Sequence, residues 1–201
     1  RQGDVVARVF DADLGPTTPE LVLTDYCCFG QVGASAVDVA SAAAGDFAVA
    51  WAVSVASGLY PGASFVNARF FAADGTPKGD LQEVVVVEGT GSIPDLSAAC
   101  DTAGRTLVVW SQETGEPSTE GLFGRYFGPD SKPEGEAFPI PSGGADLDRE
   151  PSVAMDTLGN AVVAWARDPG TGTGSDIYAQ RLNRVGQLVG SAFQLNSGSD
   201  G

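Results

Sequence analysis

The 201 residues carry 26 acidic against 11 basic side chains, a formal charge of −15, and no histidine. A surface of that sign repels nucleic acid and anionic membranes, and the missing imidazole excludes histidine triads, histidine metal sites and histidine pH switches. Three cysteines are too few for a zinc framework, and no apolar run reaches the roughly 18 residues of a membrane span.

The chain length and the 27 glycines and 12 prolines suit one all-β domain of many short strands joined by tight turns. The chain opens on Arg1-Gln2-Gly3, without an initiator methionine and in the middle of a pattern, which reads as a processed or truncated product. The first apolar segment is Ala7-Arg8-Val9-Phe10, followed by a turn from Asp11 to Gly15 and a second run, Glu20-Leu21-Val22-Leu23. Cys27 and Cys28 lie in the next link. They form a vicinal disulfide, or one of them pairs with a further segment.

A hairpin then appears three times. Gly45-Asp46-Phe47-Ala48-Val49-Ala50-Trp51 matches Gly104-Arg105-Thr106-Leu107-Val108-Val109-Trp110, and both match the run from Gly159 to Trp165. The tryptophans are 59 and 55 residues apart. A second register aligns Arg8, Arg69, Arg125 and Arg181, each followed by a turn and another apolar run, with spacings of 61, 56 and 56. In the last copy the strands are expected at 152–156, 160–167, 176–182 and 191–196. Alternation and β-branched content favour strands throughout.

A four-stranded antiparallel unit repeating near 55 residues predicts a β-propeller-like array of blades. Strand 1 of each unit is short and rich in small residues (Ser97-Ala98-Ala99, Ser152-Val153-Ala154), as innermost strands require. The expected division is a half-blade of strands 3 and 4 with its link at 1–34, and blades at 35–93, 94–150 and 151–201. Three and a half blades imply either a fragment or an array completed by a neighbouring chain or a missing segment. Two copies hold seven blades' worth of strands.

The runs Pro151-Ser152-Val153-Ala154-Met155-Asp156, Gly159 to Trp165, Asp176-Ile177-Tyr178-Ala179-Gln180-Arg181-Leu182 and Phe193-Gln194-Leu195-Asn196 resemble repeats of large secreted or surface-attached bacterial proteins. These often lie beside cadherin-like or calcium-binding repeats. The resemblance covers all units and is clearest in the last. It implies an extracellular or cell-surface location and an adhesive or binding role, with a protein or glycan as partner, and it brings no catalytic residues.

The regular positions read as structural. Trp51, Trp110 and Trp165 are expected to anchor the packing between blades. Gly45, Gly104 and Gly159 supply positive φ in the strand 1–2 turn, which Asp101 and Asp156 open. The arginine row ties blades through carboxylates or carbonyls. Cys100, at the end of strand 1, is expected to be buried and reduced.

The irregular positions carry the functional expectation. The strand 2–3 and strand 4–1 connections share one end of a propeller, and here they are long and acidic. Asp146, Asp148 and Glu150 are the first candidate Ca²⁺ ligands, followed by Asp168 and Asp176; no other cofactor is implied. No nucleophile elbow, phosphate loop, redox cysteine pair or marked carboxylate pair is present. The sequence therefore predicts a non-enzymatic extracellular binding or structural protein. The alternatives are the propeller portion of a carbohydrate-active enzyme and a self-associating surface component, and no membrane insertion is expected.

Overall fold

Alternating apolar positions and glycine turns give strands wherever the chain is regular. The computed structural model describes residues 5–23, 32–56, 61–116, 120–141, 147–168 and 174–196, and among these every regular element is a β-strand. The strands are β1 (Val6–Ala7), β2 (Leu21–Val22), β3 (Val32–Ser41), β4 (Phe47–Val55), β5 (Ser64–Phe71), β6 (Gln82–Val87) and β7 (Leu96–Cys100). They continue with β8 (Thr106–Gln112), β9 (Gly121–Phe127), β10 (Phe138–Ile140), β11 (Leu147–Met155), β12 (Ala161–Asp168), β13 (Asp176–Leu182) and β14 (Leu188–Gln194).

Each strand pairs antiparallel with its sequence neighbour. The result is a half-blade (β1–β2) and three four-stranded blades: blade 1 (β3–β6), blade 2 (β7–β10) and blade 3 (β11–β14). This is the propeller-like array of four-stranded antiparallel blades that the repeat predicts. Blades 1 and 3 begin at Val32 and Leu147, a few residues before the expected 35 and 151, because their first strands run into segments that read as loops.

The cores lie between sheets. One joins the half-blade to blade 1, through Val5 and Leu23 against Val49, Trp51 and Phe71. The second joins blades 1 and 2, and the third joins blades 2 and 3. Trp51, Trp110 and Trp165 each point towards the preceding sheet and are almost wholly buried, so the repeated residue is the repeated packing anchor. The half-blade covers only part of blade 1: Val37 and Val39 of β3 stay exposed, whereas their counterparts Leu96 and Ala98 in blade 2 are buried.

Polar clasps reinforce these junctions. On the innermost strands, Ala98 N donates to Asp38 Oδ2 at 2.9 Å and Val153 N donates to Ser97 Oγ at 3.3 Å. Asp38 and Ser97 are equivalent, since they stand opposite Ala50 and Val109. Each thus accepts from the next blade's first strand. At the outer edge, Arg125 Nη1 donates to Val84 O at 2.9 Å, tying blade 2 to β6 of blade 1. Arg105 Nη1 donates to Arg184 O at 2.8 Å and its guanidinium lies 3.8 Å from the Tyr126 ring centroid, tying blade 2 to blade 3.

The arginine row needs one correction. Val49 pairs with Arg69 and Val108 with Arg125, but the equivalent Val163 pairs with Gln180. Arg181 is one residue out of register, and a one-residue slip turns a side chain to the opposite face of a strand. Gln180 takes the inner position and donates through Nε2 to Gly190 O at 3.2 Å. Arg69 lies 5.9 Å from the Phe71 ring centroid, while Arg8 is exposed on the half-blade.

The strand 1–2 turns share one construction. Gly45, Gly104 and Gly159 have φ of +89°, +89° and +86°, a region in which a Cβ is strained. Asp156 Oδ1 accepts from Leu158 N at 2.8 Å and from Asn160 N at 2.9 Å, and Asp101 Oδ1 accepts from Ala103 N and Arg105 N, both at 2.9 Å. Hydrogen bonds from the Asn160 side chain, followed by backbone donors of the turn, hold the Asp156 carboxyl below the ordinary aspartate range. A carboxyl with a depressed folded-state pKa stabilises the fold above its unfolded pKa, and that contribution is lost as pH falls through the folded value. The stability difference between wild type and Asp156→Ala is therefore expected to be constant above about pH 5 and to shrink below about pH 4. Urea unfolding across pH 2.5–7 measures it; a pH-independent difference would refute the role of the ionised carboxylate.

Candidate functional site

The end of the array that carries the strand 2–3 and 4–1 connections holds a group of charged side chains drawn from two blades. It starts from a strand. Leu147–Met155 is a single element, so Asp148 and Glu150 stand in β11 and not in a loop. A bulge between Arg149 and Ser152 bends that strand, with Glu150 in the left-handed region at φ 53°.

Register places Asp148 opposite Arg167. Asp148 Oδ1 accepts from Trp165 Nε1 at 2.8 Å and from Arg167 Nε at 3.0 Å, and the Asp148 side chain is 2% exposed. A carboxylate this deeply buried needs an opposite charge and hydrogen-bond donors, and it has both. The Arg167 guanidinium lies 4.0 Å from the centroid of the Tyr178 ring, which itself stacks on Trp165. Arg167 Nη2 is buried and has no hydrogen-bond partner among the described residues.

The second half of the cluster crosses the junction. Arg149 Nη2 lies 2.8 Å from Glu113 Oε1, which joins blade 3 to the residue that follows β8 in blade 2. The Glu113 backbone is itself pinned by exchanging hydrogen bonds with Ser92 at 2.8 and 2.9 Å. Two carboxylates and two guanidiniums from neighbouring blades are thus set on paired backbone.

Among the described residues, the expected Ca²⁺ ligands Asp148, Glu150, Asp168 and Asp176 are not part of any group of three or more metal-binding side chains. Asp148 faces a guanidinium, and a cation already occupying its inner oxygen disfavours a second. Asp176 Oδ1 accepts from Asn196 Nδ2 at 3.1 Å, and Asp168 ends β12. Asp146 lies outside the described residues, as do Cys27 and Cys28. Among the described residues no group of three or more metal-binding side chains gathers. Cys100 is free and only partly buried, with its Sγ 2.9 Å from Thr106 Oγ1; burial, above all, raises its thiol pKa.

Sequence reasoning missed Arg149, Arg167 and Tyr178. A signal for Arg167 did exist. It stands two residues after Trp165, where Trp51 and Trp110 have Val53 and Gln112. Gln112 Oε1 accepts from Trp110 Nε1 at 3.4 Å, so the polar version of that position serves the indole, and in blade 3 Asp148 takes over the task.

No family model matches the chain, and no curated protein matches it. Among solved structures the chain is similar to a GH43 endo-arabinanase from Bacillus licheniformis, with 17% identity and a TM-score of 0.43. The similarity covers 82% of this chain and 60% of that one, so the chain spans less than two thirds of its neighbour's length. The expectation that the chain is not an enzyme is corrected here: its structural neighbour is an enzyme, and that expectation is withdrawn. At this level of similarity the neighbour assigns no activity.

Proposed function

We propose that the chain is the propeller portion of a carbohydrate-active protein working outside the cell, with a glycan lying across the ends of blades 2 and 3. The observation that carries this reading is the cluster of Glu113, Arg149, Asp148 and Arg167 across one junction, beside the Tyr178 ring. Sugars are recognised by planar, charged hydrogen-bonding groups placed next to an aromatic face, and Arg167 Nη2 has no hydrogen-bond partner among the described residues. Hydrolysis of a glycosidic bond further requires two carboxyl groups held on separate supports. Glu113 and Asp148 come from adjacent blades. The resemblance to repeats of secreted and surface-attached proteins supports the location.

The test is affinity electrophoresis and reducing-end release against a panel of soluble polysaccharides. At least one polysaccharide is expected to retard the chain and to release reducing ends. Glu113→Gln is expected to lower release by about 10²-fold or more, the usual effect of removing an acid–base group. Arg167→Ala is expected to abolish retardation. Failure of every polysaccharide to retard the wild-type chain overturns the reading.

A further inference from the structure

Strand register lets the three blades be compared position by position. Trp51, Trp110 and Trp165 pair with Asn67, Phe123 and Tyr178, so Phe70 and Tyr126 correspond to Arg181. Phe71 and Phe127 each bridge a proline after the following turn, Pro77 and Pro133, and Phe10 bridges Pro16 in the same way. Phe10 is thus the half-blade's equivalent of Phe71 and Phe127.

At the junctions inside the chain these two positions meet. Phe70 of blade 1 lies against Phe127 of blade 2, with ring centroids 5.4 Å apart, and Tyr126 of blade 2 shares a core with Leu182 of blade 3. At the two ends of the array both positions are uncovered. Phe10 is 54% exposed, whereas Phe71 and Phe127 are 2% and 0%. On blade 3, Val162 and Ile177 are 43% and 38% exposed, whereas their blade 2 counterparts Leu107 and Leu122 are 0% and 2%. Among the described residues, one copy of each half of the interface that the chain employs internally therefore lies uncovered.

The charges agree with this. Among the described residues the outer strands of this face, from Ile177 and Arg181 to Val189 and Phe193, carry no carboxylate, in a chain with 26 of them; Asp156 comes in only at the turn end, beside Val162 and Arg181. Depletion of charge is what distinguishes the centre of a protein interface from the rest of a surface. The charge on those outer strands, Arg181, stands where the internal junctions place Phe70 and Tyr126, and the ring it would meet is Phe10. A guanidinium on an aromatic face is a favourable substitute for ring on ring. Arg8 sits in the sequence pattern of Arg125, whose Nη1 binds a carbonyl of the preceding blade's last strand.

We propose that the uncovered face of blade 3 docks the half-blade of a second copy of this chain, head to tail, with Arg181 over Phe10 of the partner subunit. The outer halves of the two sheets make the contact, and Arg8 of the partner subunit reaches the carbonyls of β14 as Arg125 reaches those of β6. The contact is heterologous, so its rotation generates a closed ring or an open filament.

Sedimentation velocity of the full chain over micromolar to hundred-micromolar concentrations tests the proposal. Mass above the 20.5 kDa monomer is expected, growing with concentration. Phe10→Glu and Ile177→Glu each alter a residue exposed in the single chain, so both variants are expected to fold, which far-UV circular dichroism checks. Each alone is expected to weaken association by about tenfold or more, as loss of a central contact does. Mixing the two variants is diagnostic: one intact face remains on each, so the mixture should form a heterodimer and nothing larger. A wild-type chain that stays monomeric overturns the proposal, and so does association that neither substitution weakens. A mixture that remains monomeric also overturns it, because the contact would then pair like faces.

Discussion

Trp110→Ala is expected to cost about 3–5 kcal/mol of unfolding free energy, the range for truncating a large aromatic side chain in a packed core. The indole is 0% exposed and stacks on Phe123 with centroids 6.0 Å apart, inside the core shared by blades 1 and 2. The cavity left behind cannot collapse easily. Its walls are two sheets whose spacing is held by other contacts, including the Arg125 and Asp38 clasps. Because a domain of this size has only about 5–15 kcal/mol of net stability, the variant is expected to sit near the edge of folding at 37 °C. Trp110→Phe keeps most of the volume and loses only a long 3.4 Å hydrogen bond to Gln112, so it should cost distinctly less. Urea midpoints at constant m-value measure both. A cost below about 1 kcal/mol for the alanine variant would mean that the junction repacks and that the repeated tryptophan is not its anchor.

Asp148→Ala should be the other severe substitution, again by about 3–5 kcal/mol, for a different reason. Removing the carboxylate leaves the Arg167 guanidinium, itself only 11% exposed, without its counter-charge, and leaves Trp165 Nε1 without its acceptor. The hydrogen bond alone is worth about 1 kcal/mol, so most of the loss comes from the stranded charge. This yields a prediction that simple loss of packing does not share. The double variant Asp148→Ala with Arg167→Met removes both charges and should be more stable than Asp148→Ala alone, by about 1 kcal/mol or more. If the two single losses instead add, the buried pair is not what holds this end of blade 3 together.

Much of the fold is legible in the chain because it repeats. The six-residue interval between glycine and tryptophan recurs three times, and it is enough to define the hairpin, its turn and its buried end. The four-strand unit follows from adding the second register. What escapes is whatever depends on contacts between strands some 60 residues apart. Asp38 and Ser97 serve as acceptors for the next blade's backbone, but nothing near either residue announces it. Arg181 misleads for a related reason. Aligning arginine with arginine ignores that Arg181 stands one residue further from Trp165 than Arg125 does from Trp110, although the strand partners Tyr178 and Phe123 are equally spaced, and with a period of two the error changes the face. The segment before Ser152 reads as a loop because three charges precede Pro151. Yet β11 is an edge strand of its sheet, where a proline leaves no ladder bond unmade, and a bulge absorbs it. The candidate site is therefore only half visible: its carboxylates stand out as acidic residues, and its arginines do not.

The placement of all three cores between consecutive sheets makes this chain a stack whose energetics are nearest-neighbour in character. Each sheet contributes through the one or two boundaries it shares, and no central hub is common to all of them. The half-blade has two-residue strands, and its loss would strip only the cover of Trp51 and its neighbours. Blades 1 and 2 are both bounded on two sides, but blade 1 has only a half-blade on one of them, so among the described residues blade 2 shares the fuller boundaries. Nucleation can begin at any boundary and spread in both directions, so additional units would lengthen the cooperative block without altering the rules by which it assembles.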